Sequence, residues 1–256
     1  MPVFLIAEAA ATHDGDLRKA LDLVDLAAEI GADACKFQYL SKAERLCARR
    51  RAPEYLAAYR LLELPEHWLG RLKTRCDERE IEFMATCYLP EDVAVIAPYV
   101  TRFKVASFEA EAGDLWQALA GYDKPILYST GMNAWSCPIG DGYRRIRRLH
   151  CVSAYPAPND QMNLALLRDP TYAGLSDHSR HPWTGGLAVA AGAEVIEFHV
   201  RLDDTDPANA DYGVAKTPAE AREYVANIRL AERMLGTGAR RLMPCEEPML
   251  RYRVRP

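Results

Sequence analysis

Eight short apolar runs, separated by stretches with helical spacing, set the tightest limit on what this chain can fold into. The runs are VFLIAEA (3–9), ACKFQYL (34–40), EFMATCY (82–88), RFKVAS (102–107), PILYST (125–130), LHCVSAY (149–155), AGLSDH (173–178) and EVIEFHV (194–200). Between them DLRKALDLVDLAAEIG (16–31) places apolar residues at i, i+3, i+4 and i+7 and ends on glycine, as an amphipathic helix does. PEHWLGRLKTRCDERE, PEDVAVIAPYV, WTGGLAVAAGA and PAEAREYVANIRLAERMLG repeat that role, several opening on Pro or an acid. Strand and helix in regular alternation predict an α/β fold with a parallel sheet, and eight units predict a closed (β/α)8 TIM barrel. The 256 residues suit one such domain, with residues 1–240 as the barrel and 241–256 as a C-terminal tail. A doubly wound open sheet is the structural alternative, but no glycine-rich dinucleotide turn follows an early strand. The segment NAWSCPIGDGYRRIRR (133–148) has room for one or two helical turns, which its glycines weaken, so the fifth helical position reads as mostly loop.

A barrel wrapped in helices needs apolar outward strand positions, and this turns the charged letters inward. Cys35, Phe37 and Tyr39 face out, so Lys36 and Gln38 face in; Phe103 and Val105 face out, so Lys104 faces in. Leu5 and Ala7 leave Glu8 inward, and Ile196, Phe198 and Val200 leave Glu197 and His199 inward. GLSDHS brings Ser176, Asp177 and His178 to the end of the neighbouring strand. Such positions lie near the strands' C-terminal ends, where barrels of this kind build active sites. Two imidazoles on adjacent strands, His178 and His199, suit a divalent metal with positions left for water or substrate. A lone buried histidine is ordinarily a core residue bonded to backbone. Two imidazoles, two lysines and two carboxylates in one interior are better read as a site. His13 is expected in the pocket, His181 in a loop, and His67 and His150 in structural roles.

Composition narrows the class. Net charge is −4 without a basic block, which does not indicate a nucleic-acid footprint, and Arg49-Arg50-Arg51 reads as a solvated loop. Seven scattered cysteines form no CxxC pair, arguing against a disulfide framework and a cysteine zinc site. No apolar run spans a bilayer and no cationic leader precedes Glu8, so the chain reads as soluble and cytoplasmic.

IAEAAATHDGD, KFQ, FKVASFE, STGM, HCVSAYPAP, SDHS and EFHV occur in order at the predicted strand ends. Together they resemble the N-acetylneuraminate (sialic acid) synthase family, from Phe4 to about Gly236. The resemblance implies condensation of phosphoenolpyruvate (PEP) with an aldose or aminosugar aldehyde, giving a 2-keto-3-deoxy acid and phosphate. It implies a divalent metal, Mn2+ first with Mg2+ or Co2+ as alternatives, on His178 and His199. It places PEP on Lys36, Lys104, Thr86, Ser107, Ser129 and Ser176, and on Ser153 where some members carry Asn. Glu8, Gln38, Tyr155 and Asp211 match sugar-contacting positions, and Glu109 the carboxylate near the reacting centre; Glu109, Lys104 and Glu8 are the catalytic candidates. PEP's several negative charges independently ask for paired cations and hydroxyls.

Two departures stand out. Family members typically continue into a C-terminal antifreeze-like domain that reaches the partner's site, whereas this sequence stops at EEPMLRYRVRP; the acceptor could be smaller, lack the acetamido group or be held by a second subunit, and a homodimer would lack the domain its partners exchange. Ala215 stands where the family has serine. Rival readings are a metal-dependent sugar isomerase or epimerase, a lysine-imine aldolase, and a non-enzymatic subunit. The first needs a metal and a carboxylate base but not two lysines placed for a phosphorylated enol.

Overall fold

The computed structural model describes residues 2–132, 138 and 145–254. Eight parallel strands close a barrel in chain order: β1 (Phe4–Ala10), β2 (Ala34–Tyr39), β3 (Glu82–Cys87), β4 (Phe103–Val105), β5 (Ile126–Ser129), β6 (Ile146–Cys151), β7 (Tyr172–Asp177) and β8 (Val195–His199). Closure is by β1 against β8, with Glu8 opposite His199. Around the strands run α1 (Leu17–Glu29), α2 (Ala43–Arg50), α3 (Leu56–Arg60), α4 (Glu66–Glu78), α5 (Asp92–Ile96), α6 (Gly113–Ala120), α7 (Thr184–Ala190) and α8 (Pro218–Leu235). Asp16 caps α1 by accepting from the Arg18 amide, and Thr217 with Glu220 forms a reciprocal cap on α8. No helix among the described residues is long and apolar enough to cross a membrane.

Period-two alternation builds the interior in tiers. Leu5, Ala7, Cys35, Phe37, Phe103, Val105, Ile196 and Phe198 face outward into the shell shared with the helices. Ile6, Ala34, Met84, Leu127, Leu149 and Val195 meet inside as an apolar floor. Two residues further along five of those strands stand Glu8, Lys36, Thr86, Ser129 and Glu197. Side chains two apart share a strand face, so the floor sets the facing of the polar tier above it.

Several expectations shift. The sixth strand spans Ile146–Cys151 rather than 149–155. Its arginines are accommodated at the start of the strand: Arg148 lies over the Tyr128 and Tyr172 rings, and Arg147 pairs with Glu194. Two short 3-10 turns, Asn159–Gln161 and Leu164–Arg168, replace a helix after β6. Helices α2, α3 and α6 form in stretches whose helical spacing does not stand out in the sequence. The first two belong to an excursion after β2 with a small apolar core of its own, built on Leu40, Ala43, Leu46, Tyr88 and Leu89. Arg49 and Arg50 are therefore not a solvated loop. They close α2 and pair with Asp114 and Glu109. Most of the fifth helical position lies outside the described residues.

Candidate active site

The polar tier is built by strand register. Glu8 stands opposite both Lys36 and His199, Gln38 opposite Thr86, Thr86 opposite Lys104, and Ser176 opposite Glu197. Lys36 ion-pairs with Glu8, donates to Thr86 Oγ1 at 3.0 Å, and lies 3.7 Å from Glu197 Oε2. Lys104 donates to Ser129 Oγ at 2.8 Å and to the Val105 carbonyl, and lies 3.6 Å from Glu197 Oε1. Ser176 donates to that same oxygen at 2.9 Å. Glu197 thus bridges two buried ammonium groups.

Their environments separate the two carboxyls. Burial drives Glu8 up to about 7, with Lys36 opposing the rise and Glu197 adding to it. Burial also opposes the Glu197 charge, but Lys104 and Lys36 outweigh it and hold the carboxyl down to about 2. Lys36 is raised, because Glu197 and Glu8 overcome its burial; Lys104 is lowered by burial, with Glu197 resisting. One carboxyl is therefore a fixed anion, and the other changes protonation near neutrality.

Beside this tier the His178 and His199 rings lie 5.5 Å apart between centroids, with Tyr155 4.2 Å from His178 and 6.0 Å from His199. His178 Nδ1 bonds to the Val152 carbonyl at 2.7 Å, which protonates that nitrogen and frees Nε2 as a lone pair. Burial lowers both rings, His199 well below its usual range, so both are neutral at pH 7. Asp211, lifted by burial to about 6, stands 3.6 Å from His199 Nδ1, a buried nitrogen with no hydrogen-bond partner among the described residues. Two neutral imidazoles fit a divalent ion whose other positions stay open. Among the described residues no group of three or more His, Cys, Asp or Glu side chains forms a metal cage, so this pair is what the protein offers.

A small cavity of about 40 Å³ gathers these groups. Glu8, Lys36, Gln38, Thr86, Lys104, Ser107, Ser129, Tyr155, Ser176, His178, Glu197 and His199 all line it, with Tyr88 and Ala106. Ser153 stands behind Ser107 and donates to its hydroxyl at 2.7 Å. Glu109 and Asp211 sit just outside the lining. Glu109 Oε1 accepts from Arg50 Nε at 3.1 Å and Nη2 at 2.5 Å. His13 is not a pocket member. Its ring is buried against Trp68 and Phe37, on the outward side of β2, and its Nδ1 accepts from the Gly15 amide. His150 bonds to the Met162 carbonyl, and His67 and His181 are exposed, as expected. Glu197, inward in the alternation, proves to be the hub of the tier. Arg50 gave no signal beyond its charge, because its partners lie in other segments.

The arrangement first defines a class: a (β/α)8 barrel enzyme with two buried lysines, two carboxyls and two imidazoles gathered at its strand exits. The sequence model of the NeuB family matches residues 23–240, and the chain belongs to that family. The spore coat polysaccharide biosynthesis protein SpsE of Bacillus subtilis (strain 168) is 33% identical, over 97% of this chain and 72% of the relative. An N,N'-diacetyllegionaminic acid synthase of Legionella pneumophila is also 33% identical, over 97% and 78%. A crystal structure of N-acetylneuraminic acid (sialic acid) synthetase from Leptospira borgpetersenii serovar Hardjo-bovis, in complex with citrate, superposes with a TM-score of 0.87 at 30% identity, covering 98% of this chain and 91% of that one. A truncated 3-deoxy-D-arabino-heptulosonate 7-phosphate synthase from Thermotoga maritima, 15% identical with a TM-score of 0.67, shows the fold alone.

Proposed function

We propose that this chain condenses PEP with an aldose or aminosugar aldehyde, releasing phosphate and a 2-keto-3-deoxy sugar acid. The observation that carries the reading is the joint placement of the Lys36 and Lys104 ammonium groups and two neutral imidazoles around one cavity. An isomerase has no use for the paired cations. Lys36, Lys104, Thr86, Ser107, Ser129 and Ser176 would hold PEP's phosphate and carboxylate through charge-assisted bonds, with Ser153 steadying Ser107. Gln38, Tyr155 and Asp211 are assigned to the sugar, and Glu109 to the neighbourhood of its reacting end. A divalent ion, manganese first, held by His178 and His199 would polarise the sugar's carbonyl.

PEP's C3 attacks the aldehyde carbon, and Glu8, which titrates near 7, can protonate the oxygen that becomes the new hydroxyl. Glu8 Oε2 ion-pairs with Lys36, while Oε1 is buried without a hydrogen-bond partner among the described residues and is left to accept from a substrate hydroxyl. Water adds to C2, and the adduct expels phosphate with cleavage of the C–O bond. Glu197 stays ionised and keeps both lysines charged. Dispersed free thiols at Cys35, Cys47, Cys76, Cys87, Cys151 and Cys245 accord with a cytoplasmic site of action. Incubation with PEP, Mn2+ and a panel of aminosugars and aldoses tests the reading. Phosphate release must require all three components, and 18O in PEP's bridging position must leave with phosphate. Lys104→Ala is expected to lower kcat/KM on the order of a hundredfold, as loss of a charged hydrogen bond does. Full activity in that variant would remove Lys104 from the scheme.

A further inference from the structure

Just behind the cavity lining stands a buried acid whose partner the proposed chemistry leaves unexplained. Glu109 is 2% exposed and follows Ser107, a lining residue, by two positions. Arg50, from the end of α2, gives both its Nε and Nη2 protons to one Glu109 oxygen instead of forking across two. The other oxygen, Oε2, is buried without a hydrogen-bond partner among the described residues. The guanidinium is itself fixed: it lies 4.9 Å from the Phe108 ring centroid, 5.1 Å from Tyr88 and 5.4 Å from Tyr59. Tyr88 lines the cavity and Phe108 is 52% exposed, so this cluster belongs to the rim above β2, β3 and β4.

An arginine spent on structure alone would satisfy both carboxylate oxygens, since the fork geometry matches them. Using two donors on one oxygen leaves the second as an acceptor. PEP, seated deeper between the ammonium groups, carries no good donor, whereas an aminosugar carries hydroxyls and an amide N–H. We infer that Arg50 is a positioning residue that orients Glu109 so that its Oε2 accepts a hydrogen bond from the incoming sugar. This inference rests on the functional reading above, and it names the aromatic-braced Arg50–Glu109 pair as a determinant of acceptor selection. The charges facing Glu109 are Arg50 and Arg49 from α2 and Lys104 from β4, with Cys87 and Tyr88 nearby on β3 and its exit. Burial raises the Glu109 carboxyl and Arg50 is the largest opposing influence, so losing Arg50 must push the carboxyl higher.

The test is steady-state kinetics of Arg50→Lys, Arg50→Met and Glu109→Gln with PEP and the best acceptor. Arg50→Met is expected to raise the acceptor KM about tenfold or more while leaving the PEP KM within about twofold. Arg50→Lys should recover part of that loss, because it restores the cation without the fork. The acid limb of kcat/KM for the acceptor should move to higher pH in Arg50→Met, and Arg50→Met combined with Glu109→Gln should cost little more than either alone. Equal shifts of both KM values, an unmoved acid limb, or additive losses would overturn the inference. If Arg50→Met does not fold, the lysine variant decides by its KM split and pH profile. An unaltered enzyme that turns over no PEP with any acceptor defeats the functional reading and this inference together. Normal turnover in all three variants defeats the inference alone.

Discussion

Single residues in this barrel are tuned by what covers them, and His13 shows the cost without the chemistry. Its ring is sealed between Trp68 and Phe37, and burial lowers it from 6.5 to about 4. The fold therefore holds the neutral ring. Above pH 6.5 folded and unfolded chains both carry it neutral, and as pH falls toward 4 only the unfolded chain gains the proton. Stability from this residue is lost over that window, by about 3 kcal/mol, and levels off below it. His13→Asn keeps an acceptor for the Gly15 amide but does not titrate. Urea unfolding at pH 7.5 and 4.5 should show a smaller acid loss in the variant, and identical losses would refute the assignment. The same residue marks a limit of sequence reading. Lys36, Lys104, Glu197 and His199 could be oriented by counting along their own strands, because alternation is local. His13 and Arg50 are set by contacts with other segments, and nothing in their own neighbourhoods separates a pocket wall from a core.

At the scale of elements, β7 and β8 carry Ser176, Glu197 and His199, with His178 at the exit of β7, so their spacing fixes the site. Gly174 pairs with Val195 across that seam, and a Cβ there would fall on the Val195 carbonyl. Backbone cannot yield as a side-chain tip can. Gly174→Ala is therefore expected to cost more than about 3 kcal/mol, through overpacking and lost strand pairing. Gly113 opens α6 with nothing within 4 Å of a Cβ position, and Gly113→Ala should stabilise by roughly half a kcal/mol. Thermal unfolding of the two variants checks both, and similar midpoints would count against the argument. All eight strands were legible because runs of branched and aromatic residues bounded by turns are local signals. Helices α2 and α6 were not: α2 carries arginines at its end that earn burial only through Glu109 and Asp114. The sixth strand began too late in the reading for the same reason, since Arg147 and Arg148 look like loop until Glu194, Tyr128 and Tyr172 are beside them.

Across the whole molecule, stability and function occupy different tiers. The outer shell and the apolar floor hold the barrel, whereas the tier above crowds Glu8, Lys36, Lys104 and Glu197 into one buried space. Buried charges are strongly penalised unless each is well partnered, and here two carboxyls serve two ammonium groups at uneven distances. PEP would bring further anionic oxygens to the lysines, and only the folded barrel can seat it. Ligand that binds the folded state alone adds about 2.7 kcal/mol at a hundred times its dissociation constant. For a chain of this length each kcal/mol moves the midpoint by roughly 2–4 °C, so saturating PEP should raise Tm by roughly 5–10 °C. Because both ammonium groups are buried, most of the shift should survive 0.5 M NaCl, where contacts exposed to solvent would be screened. Lys104→Ala should lose most of it and Gly113→Ala none. A shift that vanishes in salt, or that persists without Lys104, would place the bound anion on the surface and not among the inner cations.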